Sequence, residues 1–113
     1  MPRDTQYLLD ILESAKIAVG HVSGKAWEDF ERDIQCQDAV VRRLEIIAEA
    51  ANRVSKERQT ELAELPWREM TGMRNLMIHQ YDAIDFRIVW DTVKRDPPSI
   101  ISQLEDIISA QDA

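Results

Sequence analysis

Apolar residues recur along this chain at three- and four-residue steps almost from one end to the other, a period that suits helices and gives no convincing strand. Leu8, Ile11, Leu12, Ala15, Ala18, Val19 and Val22 share one face of a first helix, whose end Gly20 and Gly24 bracket. Trp27 and Phe30 lie three apart on a short helix, Ala26 to Arg32, expected as a lid over one end of the bundle. Val40, Leu44, Ile47, Ala48, Ala51 and Val54 form the cleanest stripe, on a long second helix that Asp33 is placed to cap. A polar stretch follows from Ser55 to Glu64. Pro66 suits the first turn of a third helix, where its missing N–H costs nothing, and that helix carries Met70, Met73 and Met77 to about His79. After a break at residues 82–85, Asp85 caps a fourth helix through Phe86, Val89, Trp90 and Val93. Asp96-Pro97-Pro98 is expected to end it and to start a fifth, with Ile100, Ile101, Leu104, Ile107 and Ile108 facing inward. The expectation is an all-α, four-to-five-helix up-and-down bundle. With no repeat, linker or low-complexity tract, residues 1–113 read as a single domain.

Composition narrows the functional classes. A chain of 113 residues buries a core of modest size, and 44% hydrophobic against 31% charged residues is too apolar for a disordered protein. No apolar run approaches the ~20 residues that span a bilayer. The first residues, Met1 to Gln6, lack the apolar stretch of a signal peptide, which points to the cytoplasm. Cys36 is alone and there are two His, so neither a disulfide framework nor a structural zinc is expected, and no cofactor is implied. The formal charge of −7 makes the chain a poor non-specific binder of phosphates. A nucleic-acid role therefore requires a local basic pocket, including one assembled from two subunits.

The stretch Gly72-Met73-Arg74-Asn75-Leu76-Met77-Ile78-His79-Gln80-Tyr81 concentrates polar, chemically capable groups among apolar ones. On an ideal helix Asn75 and His79 share a face, so the amide can orient the imidazole. Arg74 and His79 stand roughly 140° apart at 3.6 residues per turn, which favours a site at a helix end or at a dimer interface. These groups suit metal-independent phosphodiester cleavage. A neutral imidazole takes the proton of a ribose 2′-hydroxyl, and a guanidinium meets the charge that develops on phosphorus. Spacing alone leaves a second use open: Arg74 pairs with an acid of the second helix, and His79 and Tyr81 are helix-end residues.

The segment resembles the Arg-x4-His-x-Tyr signature of HepT-like proteins, a toxin branch of the HEPN superfamily. The similarity extends to Gln37–Ala51, to Leu65-Pro66-Trp67-Arg68-Glu69-Met70, and to Ile88–Lys94 with Asp96-Pro97-Pro98, essentially the whole chain. The resemblance implies a helical bundle that forms a homodimer with both motifs facing a shared cleft. It implies metal-independent RNA cleavage by the toxin of a type VII toxin–antitoxin pair. It further implies a cognate nucleotidyltransferase antitoxin that attaches AMP to Tyr81. His79 is then the general base, Arg74 the electrostatic stabiliser, Asn75 an orienting group and Glu49 a support that holds a motif arginine by a salt bridge. Three positions depart from the family pattern: Ala48 replaces Gly on the second helix, Gln80 follows the His, and Asp82-Ala83 replaces an aromatic-Gly pair. Asp82 adds negative charge beside the presumed RNA site.

Arg42 and Arg43 are candidates to line an RNA cleft, a solvated helix face being their ordinary use, and Arg68 is a candidate phosphate contact. The methionines are expected in the core or a dimer seam, and Trp27, Trp67 and Trp90 at the core edge. The third helix carries apolar groups all round, more than one core-facing stripe needs, which also points to a second chain. The alternative to the enzyme is a non-catalytic helical module that docks a nucleotidyltransferase or holds a nucleotide, favoured by the negative charge. A plain dimerisation bundle is the third reading.

Overall fold

A computed structural model describes residues 2–76 and 84–112 of the chain. Among the described residues six helices follow one another: α1 Pro2–Val22, α2 Trp27–Arg32, α3 Ile34–Arg53, α4 Lys56–Glu61, α5 Trp67–Gly72 and α6 Phe86–Asp112. A 3-10 turn, Met73–Leu76, continues α5. No strand occurs among the described residues, as the apolar period requires.

The three long helices carry the core. On α1 the residues Leu8, Ile11, Ala15, Ala18 and Val22 are buried, and they pack on Val40, Leu44, Ile47 and Ala51 of α3. α1 also packs along α6, which contributes Val89, Val93, Ile100 and Leu104. α3 is the hub, because α1, α2, α5, α6 and the 3-10 turn all contact it. The molecule is 19 Å across its thinnest dimension, about two helix diameters, so every long helix keeps an outer face.

Local signals set several boundaries. Gly24, at φ 74°, takes the left-handed conformation that turns the chain after α1, a backbone state that costs a residue with Cβ. Gly20, expected to mark the end of α1, instead lies inside it. Asp33 caps α3 by accepting from the Cys36 N–H at 3.0 Å, and Asp85 caps α6 by accepting from Arg87 N–H at 3.0 Å and Ile88 N–H at 3.3 Å. Buried Gln37 donates from Nε2 to the carbonyls of Phe30 and Glu31, both at 2.9 Å, so the last turn of α2 keeps its carbonyls satisfied.

α2 is more than a lid. Phe30 is fully buried, with its ring centroid 5.2 Å from Trp90, 6.2 Å from Trp27 and 6.4 Å from Phe86. Such offset and edge pairs each add about 0.5–1.5 kcal/mol beyond the area they bury. Trp27 lies at the edge of this cluster and Trp90 is buried within it, with Arg87 4.8 Å from the Trp27 ring centroid and Lys94 5.1 Å from that of Trp90.

Three expectations are corrected. The polar stretch after α3 contains helix α4, started by Ser55, whose hydroxyl accepts from the Arg58 N–H at 3.1 Å. Its apolar content is too low for periodicity to reveal it. The expected fourth and fifth helices are one: Pro97 and Pro98 lie inside α6. Two prolines in sequence remove the donors that Val93 and Lys94 carbonyls would receive, at about 3 kcal/mol per interior proline. Buried Val89 and Val93 before them and Ile100 and Leu104 after them hold the segment on α1, so tertiary packing overrides the local signal. The third helix is α-helical only to Gly72.

Candidate functional site

The approach to the motif is fixed by two side chains. Met70 and Met73 are buried, at 0% and 1% exposure, against α3. The Met73 N–H donates to the carbonyls of both Met70 and Thr71, which tightens α5 into the 3-10 turn. Each residue of such a turn advances about 120°, so sinking Met73 into the core swings Arg74 and Asn75 outward. Both are exposed. The Trp67 indole, donating to the Leu62 carbonyl at 2.9 Å, and the Thr71 hydroxyl, donating to the Trp67 carbonyl at 2.9 Å, brace the helix from which the turn emerges.

Arg74 opens on a cavity of about 660 Å³. One wall is a stripe of α3: Val41, Glu45, Ala48, Glu49, Asn52 and Arg53. These positions recur at steps of three and four, on a face of α3 beside the one that packs on α1. Thr71 and Ile84 complete the lining. Arg74 and Ile84, which flank residues 77–83 in the sequence, both line the cavity. His79, Tyr81, Gln80 and Asp82 lie outside the described residues, as do Met77 and Ile78.

The cavity sorts the residues singled out from the sequence. Arg74 and Glu49 line it together. They form no ion pair, because the ion pairs among the described residues join Lys16 to Glu105, Lys25 to Asp33, Arg58 to Glu61, Arg87 to Asp91 and Arg95 to Asp96. The expected Glu49–Arg salt bridge is therefore absent, and so is pairing of Arg74 with an acid of α3. Both side chains are exposed, where solvent makes such a bond worth little. Asn75 does not line the cavity, and its expected alignment with His79 assumed an α-helix that ends at Gly72. Arg42, exposed, and Arg43, half-buried, also lie outside the lining. Arg68 borders a second, smaller hollow of about 350 Å³, with Glu69, Gly72, Met73, Thr92, Arg95 and Asp96. There Arg95 is already held by Asp96 at 2.9 Å, which raises its pKa further. Ala48 is buried at 3% exposure, so its methyl group is accommodated where α3 meets the cavity.

The sequence reading missed Glu45, Asn52, Arg53 and Thr71. The α3 trio shares the spacing of Glu49 and was legible as a polar stripe, but nothing local said which element that stripe faces. Of the third-helix apolar groups that suggested a second chain, Met70 and Met73 are covered by the chain's own core. No helix among the described residues is long and apolar enough to cross a membrane.

Comparison with known proteins bears on the family of the chain. Residues 11–107 match the family described as "Ribonuclease HepT-like". The chain is 40% identical over 101 residues to a "Probable ribonuclease HepT" of Thermococcus cleftensis, covering 89% of this chain and 92% of that one. It is 35% identical over 105 residues to a "Putative RNase" of Caldanaerobacter subterraneus, covering 93% and 94%. A further "Putative RNase", from Methanocaldococcus jannaschii, is 36% identical over 99 residues, covering 88% and 91%. No solved structure matches. With a helical bundle throughout the described residues and a family match across nearly the whole length, the chain belongs to the HepT-like ribonuclease family of HEPN proteins.

Proposed function

We propose that this protein is a metal-independent endoribonuclease, the toxin of a type VII toxin–antitoxin pair, working as a homodimer through Arg74 and His79. The observation that carries the reading is the placement of Arg74, an exposed guanidinium without an ion pair among the described residues, on the wall of a 660 Å³ cavity that Ile84 also lines. A cavity of this size accommodates a nucleotide-sized ligand.

In the proposed reaction the neutral imidazole of His79 takes the proton from a ribose 2′-hydroxyl. The 2′-oxygen attacks the adjacent phosphorus, and Arg74 stabilises the added negative charge. The P–O5′ bond breaks, the 5′-oxygen takes up a proton, and a 2′,3′-cyclic phosphate remains. Tyr81 is the regulatory handle: AMP attached by a cognate nucleotidyltransferase adds a permanent negative charge to the motif, which competes with RNA phosphate for a guanidinium within reach.

The second reading, a transferase-docking or nucleotide-holding module without catalysis, is favoured by the net charge of −7, which opposes a long RNA more than a partner protein. One assay separates the two. Purified wild-type protein is expected to cleave mixed cellular RNA in EDTA with cyclic-phosphate ends, and His79→Ala to lose roughly 10²-fold or more of the rate. Absence of cleavage by unmodified wild type selects the binding module. Undiminished cleavage by His79→Ala rules out this site.

A further inference from the structure

Arg53 ends the α3 stripe and shares the cavity with Arg74. Glu45, Glu49 and Arg53 follow one another at four-residue steps, forming one ridge of the helix. A Glu four residues before an Arg is the favoured order for an ion pair along a helix, yet Glu49 and Arg53 form none. Nor does Arg53 donate a side-chain hydrogen bond among the described residues, and its side chain is exposed. Two guanidiniums on separate elements thus face one cavity with neither committed to a neighbour. Asn52, the next residue back on the same wall, adds an amide with both donor and acceptor capacity.

We propose that Arg53 is a second phosphate contact of this cavity, holding a phosphate of the RNA next to the one that Arg74 engages, with Asn52 beside it at the intervening nucleotide. This rests on the ribonuclease reading of the cavity and adds a substrate-binding residue to it. Arg53 binds the chain of phosphates in ground state and transition state alike, so it sets KM and leaves kcat nearly unchanged. In a protein of charge −7, two cationic points on a cavity wall that also carries Glu45 and Glu49 restrict phosphate binding to one track instead of a general basic surface. The ordinary use of an arginine in the last turn of a helix is to interact with the helix dipole, and that use leaves RNA affinity untouched.

Binding is read with a single-stranded 2′-O-methyl RNA oligonucleotide, which lacks the nucleophile, and turnover with the matching ordinary RNA. Arg53→Ala is expected to weaken binding about ten-fold, the loss of one charge-assisted contact. It is expected to flatten the dependence of log affinity on log salt by about 0.7, the share of one phosphate on a single strand. KM rises correspondingly and kcat stays within about two-fold. Arg53→Lys retains most of the affinity, and Arg32→Ala, an equal charge change on α2 outside the cavity, leaves it nearly unchanged. If Arg74→Ala weakens binding and Arg53→Ala does not, Arg53 serves α3 alone and the proposal is overturned while the ribonuclease reading stands. A fall in kcat with unchanged affinity also overturns it. If neither variant binds differently from wild type, the proposal falls, and the ribonuclease reading falls with it only if Arg74→Ala also cleaves at the wild-type rate. Arg53→Gln, which keeps side-chain length and polarity, repeats the measurement should the Ala variant fold poorly.

Discussion

The two faces of α3 are built to opposite rules. One face, Val40, Leu44, Ile47 and Ala51, is wholly buried against neighbouring helices. The adjoining face, Glu45, Glu49, Asn52 and Arg53, lines a cavity with its charges unpaired among the described residues. The first face gains free energy from area removed from water and from close packing, and any gap in it is costly. The second gains almost nothing for stability, because exposed charges without partners contribute little to folding. Evolution is free to place chemistry on that face without loss of fold, since the adjacent face already anchors the helix. The 3-10 turn repeats the division in miniature, with Met73 sunk in the core and Arg74 directed outward.

The strongest way to break this contrast is to cut into the buried face. Leu44→Ala leaves a cavity at a residue with 0% exposure, and it is expected to cost about 2–5 kcal/mol of unfolding free energy in a urea titration. A domain of this size has about 5–15 kcal/mol to lose, so the variant stays mostly folded in buffer and its cleavage rate should change far less than its urea midpoint. A loss under 1 kcal/mol would mean that α3 repacks freely and that its two faces are not distinct.

Arg74→Ala probes the opposite wall of the cavity. Its rate of RNA cleavage is expected to drop about 10²-fold, while unfolding free energy changes by no more than about 0.5 kcal/mol. Activity and stability would then separate cleanly by face. An equal fall in both would make Arg74 a structural residue.

The smallest expected effect lies at the end of α3, where the chain must turn without disturbing either face. Asp4 of α1, almost fully buried, accepts from the Ser55 N–H at 3.0 Å and from its hydroxyl at 2.7 Å. These two hydrogen bonds hold the Asp4 carboxyl below its ordinary pKa. A depressed carboxyl contributes stability that is complete above its unfolded-state value, near ~3.9, and is lost as pH falls through the lower folded-state value. Wild type should therefore exceed Asp4→Asn in melting temperature at neutral pH, with the gap closing as pH drops below about 4. A gap that is constant with pH would show that the ionised form is not what Ser55 holds.

Much of this was written locally. Asp33 and Asp85 were readable as caps because a cap needs only a short polar side chain and the amides two or three residues on. Leu8, Ile11, Ala15, Ala18 and Val22 were readable as a buried stripe because one helix period decides which side they share. Arg74 was readable as chemically capable from the residues around it. Pro97 and Pro98 misled for the same local reason that Asp85 did not: their rule ignores the burial on both sides that holds α6 together. Arg53 was legible only as part of a polar stripe with no stated partner, and the missing Glu49–Arg74 bridge could not be read from residue types that would pair if brought close. The sequence by itself determined the helical class, most helix starts and the concentration of reactive groups near Arg74, since each depends on neighbours within a turn or two. Only the tertiary structure decided that α6 runs unbroken through two prolines, that α5 tightens at Met73 to turn Arg74 outward, and that Arg53 shares its cavity. Those outcomes depend on how far one helix is rotated and displaced against another, and a summed packing energy over many distant residues sets that rotation.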